Sequence, residues 1–274
     1  MENSKKIALV TGASSGIGKA TVKEFIDAGF TVYAASRRIE KMKDLEALGA
    51  RIMKMDVTDN DSMEAGVKTI IENEGAVDIL VNNAGYGSYG VIEDVPLDEA
   101  RRQFEVNIFG LARLIQLVLP GMREKHFGRI INISSMGGKM YTPFGGWYHA
   151  TKHALEGLSD SLRLEIKPFG IDVAIIEPGG IKTPWGKIAA DNLRGTSNDG
   201  AYAEAACAAA DALEKRYNSP QMTPSSVVAE TILKAASARR PKIRYAVGYG
   251  ARLSIFLRGL LPDRIFDRVI QIAF

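Results

Sequence analysis

Short runs rich in β-branched residues alternate along the chain with longer segments of helical periodicity. The short runs cover residues 7–11, 31–35, 51–55, 78–82, 129–133, 172–177 and, with a weaker pattern, 243–247. Segments 17–28, 40–48, 61–74, 97–123 and 148–167 lie between most of them; in the first, Ile17, Ala20, Val22, Phe25 and Ile26 roughly share one face. Strand alternating with helix predicts a parallel sheet covered on both faces. A run such as Val173-Ala174-Ile175-Ile176 fits a strand buried on both sides. Right-handed crossovers then favour a doubly wound, Rossmann-like α/β sheet of about seven strands, built as a single domain over residues 1–274. Residues 185–224, rich in alanine and polar side chains, are expected to form irregular helices outside that sheet.

The composition supports this picture and removes alternatives. Of 274 residues, 46% are hydrophobic and 24% charged, as in soluble proteins with a sizeable core. A net charge of +3 gives no reason to expect nucleic acid as a partner. Cys207 is the one cysteine, so no internal disulfide is available and no metal cluster forms around it. The apolar run after the polar residues 1–6 is too short for a signal-peptide core, and no uninterrupted apolar run approaches the ~18 residues of a membrane span. A cytoplasmic location is expected. The charge is uneven, however. Residues 239–274 hold eight Lys/Arg and two Asp, net +6, which leaves −3 for the rest. The tail from 250 to 274 is apolar between its arginines. Such a tail can lie on an anionic membrane, pack on its own body or close a subunit interface.

The first strand runs into Thr11-Gly12-Ala13-Ser14-Ser15-Gly16-Ile17-Gly18 and then a helix. Glycines at this junction allow a tight turn and close approach of a pyrophosphate to a helix N-terminus. A plain capping turn is the competing reading. The nucleoside-triphosphatase loop is excluded, because Ala13 stands where its first glycine belongs and Ala20, not Ser or Thr, follows Lys19. At the end of the second strand the chain reads Ala35-Ser36-Arg37-Arg38, with no carboxylate for ribose hydroxyls and two guanidinium groups suited to a phosphate. Against the alternative of a solvated basic turn, this favours NADP(H) over NAD(H).

Tyr148 and Lys152 are four residues apart, one helical turn on one face. Alone they would usually be a solvated face. A phenol of pKa about 10 beside a fixed cation is also a workable acid/base pair, since the charge lowers that pKa. In order along the chain stand the glycine turn, Asn82-Asn83-Ala84-Gly85 and Tyr148-x3-Lys152. With these motifs the sequence resembles the short-chain dehydrogenase/reductase family, of the classical type and in the style of hydroxysteroid-dehydrogenase members, over roughly residues 6–247.

The resemblance implies a catalytic set of Asn107, Ser135, Tyr148 and Lys152. Tyr148 would exchange a proton with the carbonyl or alcohol oxygen, and Ser135 would orient that oxygen and stabilise its charge. Lys152 would lower the Tyr148 pKa and bind the nicotinamide ribose, and Asn107 would hold a water that links Lys152 to solvent. The implied cofactor contacts are Gly12, Ser14, Ser15, Gly16, Ile17, Gly18, Arg37, Arg38, Asp56, Val57, Asn83, Ala84, Gly85, Tyr148, Lys152, Pro178, Gly179, Ile181 and Thr183. The expected activity is NADP(H)-dependent interconversion of a carbonyl and an alcohol. The alternative is a non-catalytic cofactor-binding sensor or scaffold. Met136, Met140, Tyr141, Phe144, Trp147 and Trp185, with Tyr86 and Tyr89, are expected to wall an apolar substrate pocket, with 185–224 covering it. His149 and His153 are expected on the outward side of their helix and not as metal ligands. The family also implies a homo-oligomer, formed through the helix that carries Tyr148.

Overall fold

The computed structural model describes residues 5–273, in a three-layer α/β arrangement. In chain order the elements are β1 (Ile7–Thr11), α1 (Gly16–Asp27), β2 (Thr31–Ser36), α2 (Lys43–Ala47), β3 (Arg51–Lys54), α3 (Asn60–Glu74), β4 (Ile79–Asn82), α4 (Leu97–Phe104), α5 (Gly110–Glu124), β5 (Gly128–Ile133), α6 (Gly146–Ile166), β6 (Ile171–Pro178), β7 (Ile181–Lys182), α7 (Trp185–Thr196), α8 (Ala203–Tyr217), β8 (Thr223–Pro224), α9 (Ser225–Ser237), β9 (Arg244–Val247), α10 (Ala251–Leu260) and α11 (Asp263–Ala273). Seven strands pair in parallel in the order β3-β2-β1-β4-β5-β6-β9. They match the seven β-rich runs to within a residue or two. The order reverses between β1 and β4, so a crevice opens above the carboxyl ends of those strands.

Each face of the sheet has its own core. On one, Leu9, Leu80 and Ile130 pack against Val67, Leu114 and Leu155 of α3, α5 and α6. On the other, Val10, Val81 and Ile131 pack against Val22, Phe25 and Ile232 of α1 and α9. Helix α9 was absent from the sequence reading, although Val228, Ile232, Ala235 and Ala236 repeat at helical spacing and are all buried.

The long segment between β4 and β5 is not one regular α-helix. A π-helical turn, Glu105–Phe109, interrupts it between α4 and α5. The whole stretch Leu97–Glu124 is long and apolar enough to cross a membrane. Its apolar side is used in the core instead, where Leu111, Leu114, Ile115, Val118 and Met122 are buried. Residues 185–224 also differ from expectation. They form two regular helices, α7 and α8, because small side chains let the helices approach closely: Ala189, Ala190, Ala206 and Ala210 are fully buried between them.

Candidate active site

One continuous cleft of about 1820 Å³ runs from the glycine turn, past Ser135 and Tyr148, to the C-terminal helices. That exceeds the roughly 300–1,000 Å³ of an ordinary small-ligand pocket, so it has room for two ligands side by side. Its first half is the end of β1. Gly12 and Gly16 have φ of +67° and +55°, which side chains disfavour. A Cβ on Gly18 would lie 2.5 Å from the carbonyl oxygen of Gly12. Gly18 does not line the cleft; its missing side chain lets the turn close on itself. Helix α1 starts there with no side-chain cap and no acidic residue in its first turn. Its leading N–H groups are therefore uncommitted and its positive end faces the cleft, an arrangement suited to phosphate oxygens.

Arg37 and Arg38 are exposed on the cleft rim, and Arg38 Nη2 donates to Ser14 Oγ at 3.0 Å. Asp56 and Val57 lie on the same rim, but the Asp56 carboxylate already accepts from the Thr58 N–H and hydroxyl at 3.0 and 2.9 Å. Asn83 is chiefly a staple. Its Nδ2 donates to Thr11 O at 2.9 Å, while the N–H groups of Asn83 and Ala84 donate to Thr11 Oγ1. Gly85, Ile17, Ser15, Pro178, Gly179, Ile181 and Thr183 complete the walls. Gly179 allows a close backbone approach, since a Cβ there would lie 2.1 Å from Tyr249 O.

Ser135, Tyr148 and Lys152 meet at the inner end of the cleft. Ser135 follows β5, and its Oγ accepts from Gly137 N–H at 3.0 Å, which fixes the turn after the strand. Tyr148, in the first turn of α6, is buried between Tyr89 and Trp185, with ring centroids 6.0 and 5.2 Å away. Burial pushes its phenol up to about 12, only partly opposed by the hydrogen bond with Ser135. This reverses the direction expected from the sequence, and the geometry explains why. Lys152 Nζ donates to Ile133 O at 2.8 Å and lies 5.9 Å from the Tyr148 ring centroid. Burial lowers Lys152 itself to about 8, against a smaller upward pull from Glu156.

Asn107 sits in the π-helical turn, fully buried and off the cleft surface. Both hydrogens of its Nδ2 are committed, to Tyr86 O and Thr151 Oγ1 at 3.0 Å each, and its Oδ1 accepts from Tyr86 N–H at 3.2 Å. The side chain ties the loop after β4 to the helix that carries Tyr148. Any water held by this residue would have to use the remaining acceptor capacity or the backbone.

His149 corrects another expectation. It is buried, not outward, while His153 is exposed. His149 Nδ1 faces Gly137 O at 3.0 Å, and its Nε2 accepts from Thr142 N–H at 3.1 Å. One neutral tautomer, with hydrogen on Nδ1, satisfies both contacts. Desolvation lowers its pKa to about 4. The imidazole thus braces the segment from Ser135 to Thr142 against α6. Nothing at residue 149 marks this in the sequence beyond its place beside Tyr148. No group of three or more potential metal ligands occurs among the described residues.

Behind Lys152 lies a charged cluster. Glu156, one turn on, meets Lys139 Nζ at 2.9 Å and Arg244 Nε at 3.0 Å. Glu177 on β6 is 3.6 Å from the same Arg244 nitrogen. Burial, with Glu156 close by, raises Glu177 to about 7. The substrate side of the cleft holds Met136, Met140, Tyr86, Tyr89 and Trp185 as expected, joined by Ile188, Tyr217 and Met222. Tyr141, Phe144 and Trp147 do not line it.

A sheet that switches direction at β1/β4, an uncapped glycine turn and a tyrosine–serine–lysine group at one cleft define a dinucleotide-dependent oxidoreductase fold. The family profile described as short chain dehydrogenase matches residues 6–193, and the chain belongs to that family. It is 36% identical over 276 residues to a 3-ketodihydrosphingosine reductase of Bacteroides thetaiotaomicron, covering 98% of each chain. It is 35% identical over 277 residues to an NADPH-dependent 3-dehydrocapnine reductase of Ornithobacterium rhinotracheale, covering 96% of this chain and 95% of that one. Among solved structures, a short-chain dehydrogenase from Streptomyces avermitilis superposes with a TM-score of 0.81 at 34% identity, covering 99% of this chain and 97% of that one. Structural neighbours include complexes with NADP+ and with NAD, so the family shows a nicotinamide cofactor but not which one.

Proposed function

We propose that this chain is an NADP(H)-dependent oxidoreductase of the cytoplasm that interconverts a carbonyl and an alcohol on a lipophilic substrate. The observation that carries the reading is that Ser135, Tyr148 and Lys152 line one cleft together, at the inner end of an apolar, aromatic cavity that opens toward the glycine turn. The residues present fit the dinucleotide: α1 offers free N–H donors, and Arg37 and Arg38 stand where a ribose phosphate would lie. Asp56, Val57, Ala84, Gly85, Ile181 and Thr183 would line its length. When bound, the nicotinamide supplies or takes the hydride.

The protein's part is to hold the oxygen and move its proton. A phenol held at about 12 stays protonated at neutral pH and serves as the acid in the reductive direction. Ser135 hydrogen-bonds the same oxygen and stabilises the charge that develops there. Lys152, held by Ile133 O, places a buried cation within reach of the phenolate that remains. Asn107 keeps α6 in register with the loop after β4. Two relatives named as reductases of keto or dehydro compounds support the reductive direction, and the printed NADPH dependence of one supports the cofactor. Self-association would use the outer face of α6, where Leu158 and Leu164 are exposed, together with Phe109 of the π-helical turn before α5.

The test is a panel of ketones of increasing chain length, assayed with NADPH and with NADH. Turnover that rises with apolar length and prefers NADPH is expected. Equal or better use of NADH would remove the cofactor assignment. Tight NADPH binding with no turnover on any ketone would leave the sensor reading in its place.

A further inference from the structure

The C-terminal helices are attached to the catalytic loop on one side and bare on the other. Phe266 and Ile270 of α11 are buried against Met140, with Met136 and Tyr141 packed around them. Tyr141 OH donates to Asp267 at 2.9 Å, and Arg258 lies over the rings of Tyr141 and Phe266 at 5.4 and 5.3 Å. Arg258 also pairs with Asp263 at 2.8 Å. Both acidic residues of the pair are thus already partnered, Asp267 by Tyr141 and Asp263 by Arg258, although both stay exposed.

The solvent-facing side carries apolar residues. Leu253, Phe256 and Leu260 on α10 are each 63% exposed, and Ile265, Val269 and Ile272 on α11 are 48, 38 and 88% exposed. Their spacings of three and four residues put each trio on one helical face. Exposed Arg252, Arg264 and Arg268 lie on the same two helices. This bare face is continuous with the cavity, because Leu253 and Val269 belong to both and Leu257, Phe266 and Ile270 carry the apolar lining inward.

We propose that α10 and α11 seat this protein on an anionic lipid surface, with the cavity mouth opening at the apolar layer. The six exposed side chains enter the headgroup boundary, and the arginines meet anionic headgroups. A lipophilic substrate then passes along Leu253 and Val269 to Tyr148 without crossing bulk water. Charge decides against a second copy of the chain as the occupant. A two-fold contact through this face would set the arginine-rich rim against itself, and the acidic residues that could relieve it are already engaged, Asp263 by Arg258 and Asp267 by Tyr141. The entry route rests on the lipophilic-substrate reading, whereas docking stands without it.

The full-length protein should be floated with vesicles of phosphatidylcholine alone and of phosphatidylcholine with phosphatidylglycerol, at low and high salt. The wild type is expected to float with anionic vesicles and at least tenfold less with neutral ones or at high salt. The variant F256E/L260E/I272E changes no cavity-lining residue, so it should lose flotation by tenfold or more and keep NADPH binding. R264E/R268E should lose the anionic preference, by about fivefold for each arginine. A wild type that stays at the bottom with both vesicles overturns the proposal, as does a triple variant that floats unchanged. A wild-type dimer that becomes a monomer in the triple variant by light scattering, without flotation of either, assigns the face to a second copy and overturns it too. Flotation needs no turnover, so failure of the reductase reading and failure of docking are read separately.

Discussion

On the floor of the cleft, Ser135 follows β5 directly, Lys152 is held by the last carbonyl of that strand, and His149 and Asn107 fasten the neighbouring loops through backbone groups. The roof, α7–α8 and α10–α11, is joined to the body by side-chain packing and by a few ties: the two-residue ladder β7–β8, Ser197 Oγ accepting from Val91 N–H, and the hydrogen bonds Tyr202–Glu93 and Tyr141–Asp267. Floor residues are thus positioned by hydrogen bonds of fixed length and direction, and roof residues by contacts that tolerate a change of shape. The same bond-making chemistry can be kept while the roof is altered for different ligands, because the two depend on different interactions.

The comparison can be tested by its asymmetry. Tyr148→Phe, on the floor, should lower kcat by at least about 100-fold on every substrate while cofactor affinity stays near the wild-type value. Retention of a tenth of the rate would refute the acid/base role. R37A/R38A, at the cofactor rim, should raise the KM for NADPH by about tenfold or more, as loss of charge-assisted phosphate contacts does, and leave NADH kinetics nearly unchanged. Trp185→Ala, in the roof, should raise the KM for long apolar ketones by about tenfold, the scale of a lost aromatic contact, with little change in kcat for a short ketone. A uniform loss of kcat with Trp185→Ala would erase the distinction between floor and roof.

Two smaller effects concern pH, and their signs oppose. His149 is lowered from 6.5 to about 4, so the folded state favours its neutral form. Its contribution is complete above about pH 6.5 and is lost as pH falls toward 4, by up to about 3 kcal/mol at 1.4 kcal/mol per unit. Glu177 is raised from 4.5 to about 7, so the folded state favours its protonated form. That contribution is complete below about pH 4.5 and is lost as pH rises toward 7. Urea midpoints measured from pH 4 to 8 should therefore fall less on the acid side for His149→Gln than for wild type, and less on the alkaline side for Glu177→Gln. Curves parallel to wild type for both variants would show that neither group is coupled to folding.

The sheet was legible because a strand buried on both faces must be apolar throughout, so 7–11 or 172–177 could hardly be anything else. Tyr148 and Lys152 were legible as a spacing on one helix and Ser135 through the family resemblance, and the structure brings the three to one cleft. What the sequence did not disclose depended on contacts made across long separations. The pKa directions of Tyr148 and Lys152 follow from burial, that of Tyr148 between Tyr89 and Trp185, not from their four-residue spacing. His149 looked like a surface residue because two of its contacts, Gly137 O and Thr142 N–H, are backbone groups with no residue-type signature, and the third, the Thr142 hydroxyl, comes from the loop before α6. The regular pairing of α7 with α8 was hidden because alanine packs closely without an apolar stripe large enough to stand out.

The π-helical turn at Glu105–Phe109 sets the rotational phase of everything before it. Such a turn carries a residue beyond α-helical register, and each residue advances a helix by about 100°. Deleting Val106 would let the segment rewind as continuous α-helix and would screw α4 about a quarter-turn relative to α5. The amide now shared between Tyr86 O and Thr151 Oγ1 could then reach at most one of them. At this position chain length itself acts as a coordinate. A one-residue change would shift the alignment of the loop after β4 with α6 and leave every side chain named in the chemistry unaltered.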